Sequence, residues 1–303
     1  MIRSRVFAVC LLVLAVSSVD AACEGPLALQ ILGSGGPIAD DDRASSAYAL
    51  WSDGRTLALV DAGGGSHLRA AQAGVNLAEI QAIHLSHLHA DHSAGLPALL
   101  KSAWFVRRGN QLVVSGPGPG GRFPGTREFV TTLLDPETGH YRYLSEYLTE
   151  GAPFRLRPVQ LDHRSRQLQS VMEGDSLTVR AAGVDHGPVP ALAYRVEARD
   201  RVVAFSGDQT GVTEGMLAVA NQADLLVIHA AIPPGAGRVA RNLHATPEQI
   251  GVLAQRAGVK SLVLSHWMRR SLNRREAVIR DVRKHYNGPL HVAEDLQCFP
   301  VGG

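Results

Sequence analysis

Ala82-Ile83-His84-Leu85-Ser86-His87-Leu88-His89-Ala90-Asp91-His92 opens as an apolar strand and closes on four crowded ligand-type side chains. Alternate residues of an extended chain face one side, so His87 and His89 are expected to point together. Asp91 and His92 then follow in the turn before Gly95 and Pro97. Neutral imidazoles and a carboxylate suit zinc or a related divalent ion. A lone histidine is ordinarily a structural residue, but packing alone gives no reason for four ligand types at this spacing. They cannot all close on one tetrahedral ion, so further ligands are expected where later apolar strands end. Three positions qualify: His186 after Val184-Asp185, Asp208 after the strand Val202 to Gly207, and His266 after Leu262 to Ser265. Each alone would read as a turn residue or cap; together they bring ligand types to one edge of a sheet.

With 303 residues, 45% of them hydrophobic and 19% charged, the chain has material for one large domain or two small ones. Thirty basic and 28 acidic residues leave a formal net charge of +2. No strong global field recruits nucleic acid or anionic membrane, so anion recognition has to be local. Arg3 and Arg5 precede an apolar run, Val6 to Val19, and then Ala21-Ala22, which is the pattern of a signal peptide over 1–22. The run is short for a membrane span, and no other stretch approaches the length of one. The expectation is a secreted or periplasmic domain over 23–303. Cys10 leaves with the leader, and Cys23 with Cys298 remains as an even pair suited to one disulfide in an oxidising compartment. The alternatives are two free thiols, or a lipid anchor on Cys23, although Asp20 stands where a lipoprotein leader carries an aliphatic residue. A homodimer is compatible with the sequence, which does not fix the oligomeric state.

Short β-rich runs alternate with helical segments, which argues for a layered α/β fold. Strands are expected at 27–32, 47–51, 56–60, 82–86, 111–114, 176–181, 191–197, 201–206, 225–228, 261–265 and 290–293. Helices are expected at 67–72, 96–102, 126–134, 213–220, 247–257 and 274–285. Thr246-Pro247-Glu248 reads as the capped start of the 247–257 helix and Gly258 as its stop. From Gly116 to Pro158 a Gly/Pro tract and the tyrosines Tyr141, Tyr143 and Tyr147 break the rhythm. That stretch is expected to be an inserted loop, either a lid over the site or a solvated connection.

Leu32-Gly-Ser-Gly-Gly36, Leu59-Val-Asp61-Ala-Gly63, the loop from His84 to Leu100, Phe205-Ser-Gly-Asp208 and Val292-Ala-Glu-Asp295 carry a resemblance. Together, over nearly the whole mature chain, they are similar to the ribonuclease Z-like branch of the metallo-β-lactamase fold superfamily. The resemblance implies an αββα sandwich, two mixed sheets face to face with helices outside, and two divalent ions, zinc first, with manganese or iron as alternatives. It implies that His87, His89 and His186 hold one ion, that Asp91, His92 and His266 hold the other, and that Asp208 bridges them. His163 competes with His186 for the third position. Asp61 is implied to support the loop by accepting a bond from a ligand imidazole; a plain turn aspartate is the alternative. Leu243-His244-Ala-Thr246 resembles the family segment whose histidine assists the leaving group, so His244 is the expected proton donor and Asp91 the group that orients or deprotonates the attacking water.

Two departures from the family pattern matter. Members that process transfer RNA carry a long gripping arm, commonly after the third histidine, whereas only Gly187 to Gly207 separates His186 from Asp208 here. Where the family shows His-Glu, this chain has Ile228-His229. With the leader and the near-neutral charge, these departures point to hydrolysis of a small-molecule ester, a phosphodiester or aryl sulfate. Arg238, Arg241, Arg269 and Arg270 are available to meet the anion. Lactone or β-lactam hydrolysis, a ribonuclease Z-like endonuclease and a non-catalytic metal-binding protein are the alternatives.

Overall fold

A computed structural model describes residues 23–106, 109, 111–149 and 154–302; the expected leader, 1–22, lies outside them. In the first half of the chain the strands are β1 (Ala28–Gly33), β2 (Ala47–Ser52), β3 (Arg55–Ala62), β4 (Ala82–His84), β5 (Leu112–Pro117) and β6 (Leu156–Leu161). In the second half they are β7 (Gln169–Met172), β8 (Thr178–His186), β9 (Val189–Ala198), β10 (Arg201–Phe205), β11 (Leu225–His229), β12 (Leu262–Ser265), β13 (Leu290–Val292) and β14 (Cys298–Pro300). They form two sheets, β14-β1-β2-β3-β4-β5-β6 and β13-β12-β11-β10-β9-β8-β7. Each sheet is mixed: β3 to β6 and β10 to β13 pair in parallel, the remaining neighbours antiparallel. Two-residue turns with both residues at positive φ, Asp53-Gly54 and Arg199-Asp200, close the β2–β3 and β9–β10 hairpins.

Leu29, Ile31, Leu50, Val60, Leu192, Val196 and Phe205 fill the space between the sheets. The outer face of the first sheet packs Leu96, Leu99 and Leu100 of the helix Leu96–Ala103 and Val130 of the helix Thr126–Leu134. The outer face of the second packs Met216, Ile250, Leu253, Val278 and Val282 from three further helices. This is the expected αββα sandwich. Strands buried on both faces read as largely apolar runs, which is why β1 to β3 and β9 to β12 were legible; β8 (TVRAAGVDH), expected at 176–181, runs on to His186. The capping box of Thr246 and Gln249 starts the helix Pro247–Arg256, and Gly258 at φ +65 follows its end, as expected.

Three strands differ from expectation, and all three lie at sheet edges. β6 carries Pro158, which reads as a breaker but is tolerated on an edge strand. β7 (QSVM) and β14 (CFP) are short and have little apolar pattern to find. The expected closing strand through Asp295 stops at Val292; Asp295 instead accepts from the backbone N–H groups of Ser34 and Ala44 and ties the C-terminal region to the β1–β2 connection. The 116–158 stretch, expected to be a loop, is built into the first sheet: it carries the end of β5, the helix Thr126–Leu134, a 3₁₀ helix Arg142–Leu148 and the start of β6. Tyr147 is buried and donates to the Leu100 carbonyl, while Tyr143 is exposed. Among the described residues no helix is long and apolar enough to cross a membrane.

Cys23 and Cys298 are joined in a disulfide, with their Cα atoms 5.6 Å apart, so the Cys23 sulfur is not free to carry a lipid. The bridge ties the segment before β1 to the edge strand β14. Cys298→Ser is expected to lower unfolding free energy by about 2–4 kcal/mol, measured by denaturant titration of oxidised and reduced wild type beside the variant.

Candidate metal centre

Because β3, β4, β8, β10, β11 and β12 all point the same way, their carboxyl ends share one edge of the sandwich, the edge at which open α/β sheets bind ligands. β4 ends at His84, so His87 and His89 converge from a loop and not by strand alternation. Asp91 and His92 sit on a single helical turn, Ala90–Ser93. That turn lies directly on the end of β3: a Cβ on Gly63 would come within 2.2 Å of the Asp91 carbonyl oxygen, so only glycine fits there.

Two groups of side chains result. His87, His89, His186 and Asp208 offer ligand atoms all within 4.8 Å of one another, as do His92, Asp208, His229 and His266. His87 Nε2 lies 3.0 Å from His89 Nδ1, and His186 Nε2 lies 3.4 Å from the same atom and 3.5 Å from Asp208 Oδ2. His266 Nε2 is 3.3 Å from both Asp91 Oδ2 and Asp208 Oδ1, and His92 Nε2 is 3.5 Å from Asp91 Oδ2. Asp208 is common to both groups.

The outward bonds of the rings fix which nitrogen faces inward. His186 Nδ1 donates to the Leu243 carbonyl at 2.7 Å, and His92 Nδ1 donates to Asp61 Oδ2 at 2.8 Å, so each presents an Nε2 lone pair to the centre. Burial holds the His87, His89 and His186 rings below the usual histidine range, in the neutral form a cation requires. The buried Nε2 atoms of His92 and His266 have no hydrogen-bond partner. Against the cost of burial, Asp61, Asp91 and Asp208 draw His92 and His266 above the usual range, so an ion in the second group would displace a proton; ring nitrogens turned inward beside ionised carboxylates fit a divalent ion in each group.

Asp61, at φ +56 on the end of β3, also accepts from Ser86 N at 2.7 Å and Ser86 Oγ at 2.9 Å, so it braces both the loop and His92. Asp61→Asn tolerates that backbone and keeps the shape but loses the charge. It is expected to weaken metal binding about tenfold or more, read by chelator competition.

His229 was noted from sequence only for the glutamate missing after it; the structure makes it a member of the site. It ends β11 as His186 ends β8, so the same search of apolar strand ends finds it. Its Nδ1 is 2.7 Å from Asp208 Oδ1 and its Nε2 is 3.1 Å from the Tyr48 hydroxyl, which also lies 2.9 Å from Ser265 Oγ. Burial lowers this ring to about 4, so it is neutral; Nδ1–H donates to Asp208, and Nε2 lies against the Tyr48 hydroxyl, which donates to Ser265 Oγ. With Nδ1 engaged, His229 aims Asp208, and Asp91, 3.3 Å from His266 Nε2 and 3.5 Å from His92 Nε2, would take its place beside an ion.

The remaining candidates separate clearly. His244 faces the centre, with Nδ1 3.7 Å from Asp208 Oδ2 and its ring 5.6 Å from that of His186. His163 belongs to neither group; it packs near Gly120. Arg270 donates to the Ala231 carbonyl, and its charge acts on His244 and Asp208, whereas Arg269 pairs with Asp40. Arg238 and Arg241 are exposed on a single helical turn, Arg238–Arg241.

A double sheet with histidine and aspartate groups gathered at one strand edge defines a class of metal-dependent hydrolases, and comparison with known proteins agrees. The model of the metallo-beta-lactamase superfamily matches residues 40–246, and the chain belongs to that superfamily and, within it, to the ribonuclease Z-like branch. Ribonuclease Z of Mycobacterium sp. (strain KMS) is 34% identical over 248 residues, covering 78% of this chain and 83% of that protein. Ribonuclease Z of Methanosarcina acetivorans is 28% identical over 310 residues, covering 91% and 98%. The crystal structure of human tRNase Z, short form, superimposes with a TM-score of 0.70 at 22% identity over 91% of this chain and 100% of that one, a likeness of fold.

These relatives overturn the expectation of a small-molecule phosphodiester or aryl sulfate as substrate. Relatives of this identity and coverage carry the name of a ribonuclease, and the reading set aside for want of an arm and of basic charge is the one they back. Net charge is a sum over the whole surface, so it does not exclude RNA held by a few local cations.

Proposed function

We propose that this chain is a metal-dependent endoribonuclease of the ribonuclease Z type, which cuts a phosphodiester bond of RNA. The observation that carries the reading is the two-group centre sharing Asp208, with His244 turned into it, in a chain 34% identical to a ribonuclease Z. His87, His89 and His186 would hold one ion, Asp91, His92 and His266 the other, with Asp208 between them; zinc suits the ligand set best. Such a pair of ions supplies a nucleophile at neutral pH and stabilises charge on the phosphoryl oxygens. Against the cost of burial, His266 and His92 hold the Asp91 carboxyl well below the usual range, so Asp91 would orient the attacking water as an acceptor of its hydrogen bond. His244 stands where it can protonate the departing ribose oxygen. Burial holds His244 down at about 3, so the negative charge of bound RNA is needed to keep a proton on its ring.

Gly187 to Gly207 forms the β8–β9 turn, β9 and all of β10, so no gripping arm is built between His186 and Asp208. The test is cleavage of a 3′-extended precursor transfer RNA and of an unstructured oligoribonucleotide. Cleavage that chelator abolishes and zinc restores supports the reading; intact RNA after incubation with fully metal-loaded protein overturns it. We further propose an oxidising compartment, periplasmic or extracellular, a reading supported by the Cys23–Cys298 bridge.

A further inference from the structure

Beside His186 the surface opens into a cavity of about 220 Å³, lined by His163, Arg164, Arg166, Asp185, His186 and the turn from Gly187 to Pro190. It is a basic recess sharing a wall with one of the two metal groups. Arg166 pairs through Nη2 with Asp185, yet its Nη1 is buried with no hydrogen-bond partner. A guanidinium N–H left unpaired under the surface is costly unless an acceptor reaches it. Arg164 is exposed, and no carboxylate among the described residues pairs with it. The lining carries Arg164 and Arg166 against Asp185, with Asp162 beside Arg164 at the rim.

The recess is also rigid. Ser165 accepts from Gly183 N at 2.7 Å, Arg164 N donates to Asp162 at 2.9 Å, and a Cβ on Gly183 would collide with the His163 carbonyl. The loop therefore lies backbone on backbone against β8, the strand that ends in His186. Across the mouth, Gly120 packs on His163 and Pro190, and Phe123 sets its ring edge against His89 at 5.4 Å.

We propose that this recess is a phosphate subsite, which holds the RNA phosphodiester adjacent to the one being cut. The inference rests on the endoribonuclease reading above and adds to it where the strand is gripped. At 220 Å³ the cavity is smaller than the roughly 300–1,000 Å³ of pockets that enclose whole small ligands. It suits a phosphate group and not an entire nucleotide. Arginine supplies the paired donors that phosphate oxygens accept, and the unpaired Nη1 of Arg166 gains its acceptor. The recess would do locally what the missing arm does not.

The experiment compares a trinucleotide, which has two phosphodiesters, with a dinucleoside monophosphate, which has one, on zinc-loaded wild type and Arg164→Ala. On the trinucleotide the variant is expected to raise KM about tenfold, change kcat much less, and flatten the dependence of log KM on log salt by about 0.7. Its penalty on the dinucleoside monophosphate should be at least fivefold smaller, and Arg164→Lys should recover part of the loss. Arg166→Ala should behave alike; matching thermal melts confirm the fold. Equal penalties on the two substrates, or none on either, overturn the subsite while wild-type RNA cleavage leaves the endoribonuclease reading standing. A wild type that cuts no RNA overturns both.

Discussion

Asp208→Ala is expected to abolish hydrolysis, lowering turnover about a thousandfold or more, and to remove metal from both groups at once. Asp208 alone belongs to both, with one oxygen 3.5 Å from His186 Nε2 and the other 3.3 Å from His266 Nε2. It is fully buried, and the surrounding histidines keep its carboxyl well below the usual range against the opposing cost of burial. Losing it would take a shared anionic ligand from each proposed ion and leave histidines facing one another. His89→Ala should instead deplete the first group only. Metal content by elemental analysis, run beside turnover, separates these outcomes. Asp208→Ala protein that keeps a full complement of ions would remove Asp208 from its shared position.

The second large effect is expected at His244. His244→Ala should lower kcat on RNA about 10²- to 10⁴-fold with metal content unchanged. Its Nδ1 is buried without a hydrogen-bond partner and its ring lies 5.6 and 5.8 Å from those of His186 and His266, yet it belongs to neither ligand group. A group so placed acts on what is bound at the centre. The ribose oxygen is a poor leaving group that needs a proton, whereas nitrophenolate leaves without one. The loss should therefore be much smaller on a nitrophenyl phosphodiester. Equal losses on both substrates would show that His244 positions the phosphate and does not protonate the leaving oxygen.

How much of this could be read in the sequence follows from where each residue sits. Strands with two buried faces, such as β3 and β11, are continuous apolar runs and were legible. β6, β7 and β14 each expose a face at a sheet edge, and Pro158 reads as a breaker until the edge is known. The side chains that gather at the candidate centre were legible because they cluster in one loop or stop an apolar run. His87 and His89 converge from a loop and not by strand alternation, since β4 ends before them. The role of His229 depends on Tyr48, which arrives from the other sheet, and no local pattern encodes that contact. Substrate was the least legible property. A net charge of +2 averages over surfaces that include a basic recess beside His186, and the average pointed away from RNA.

The central claim is a two-ion centre divided by Asp208. Its most direct test is anomalous diffraction at the zinc edge from crystals of the zinc-loaded protein. Two peaks about 3.5–4 Å apart are expected, one among His87, His89 and His186 and the other among Asp91, His92 and His266, with Asp208 between them. One peak alone at full zinc loading, or peaks away from these residues, would contradict it.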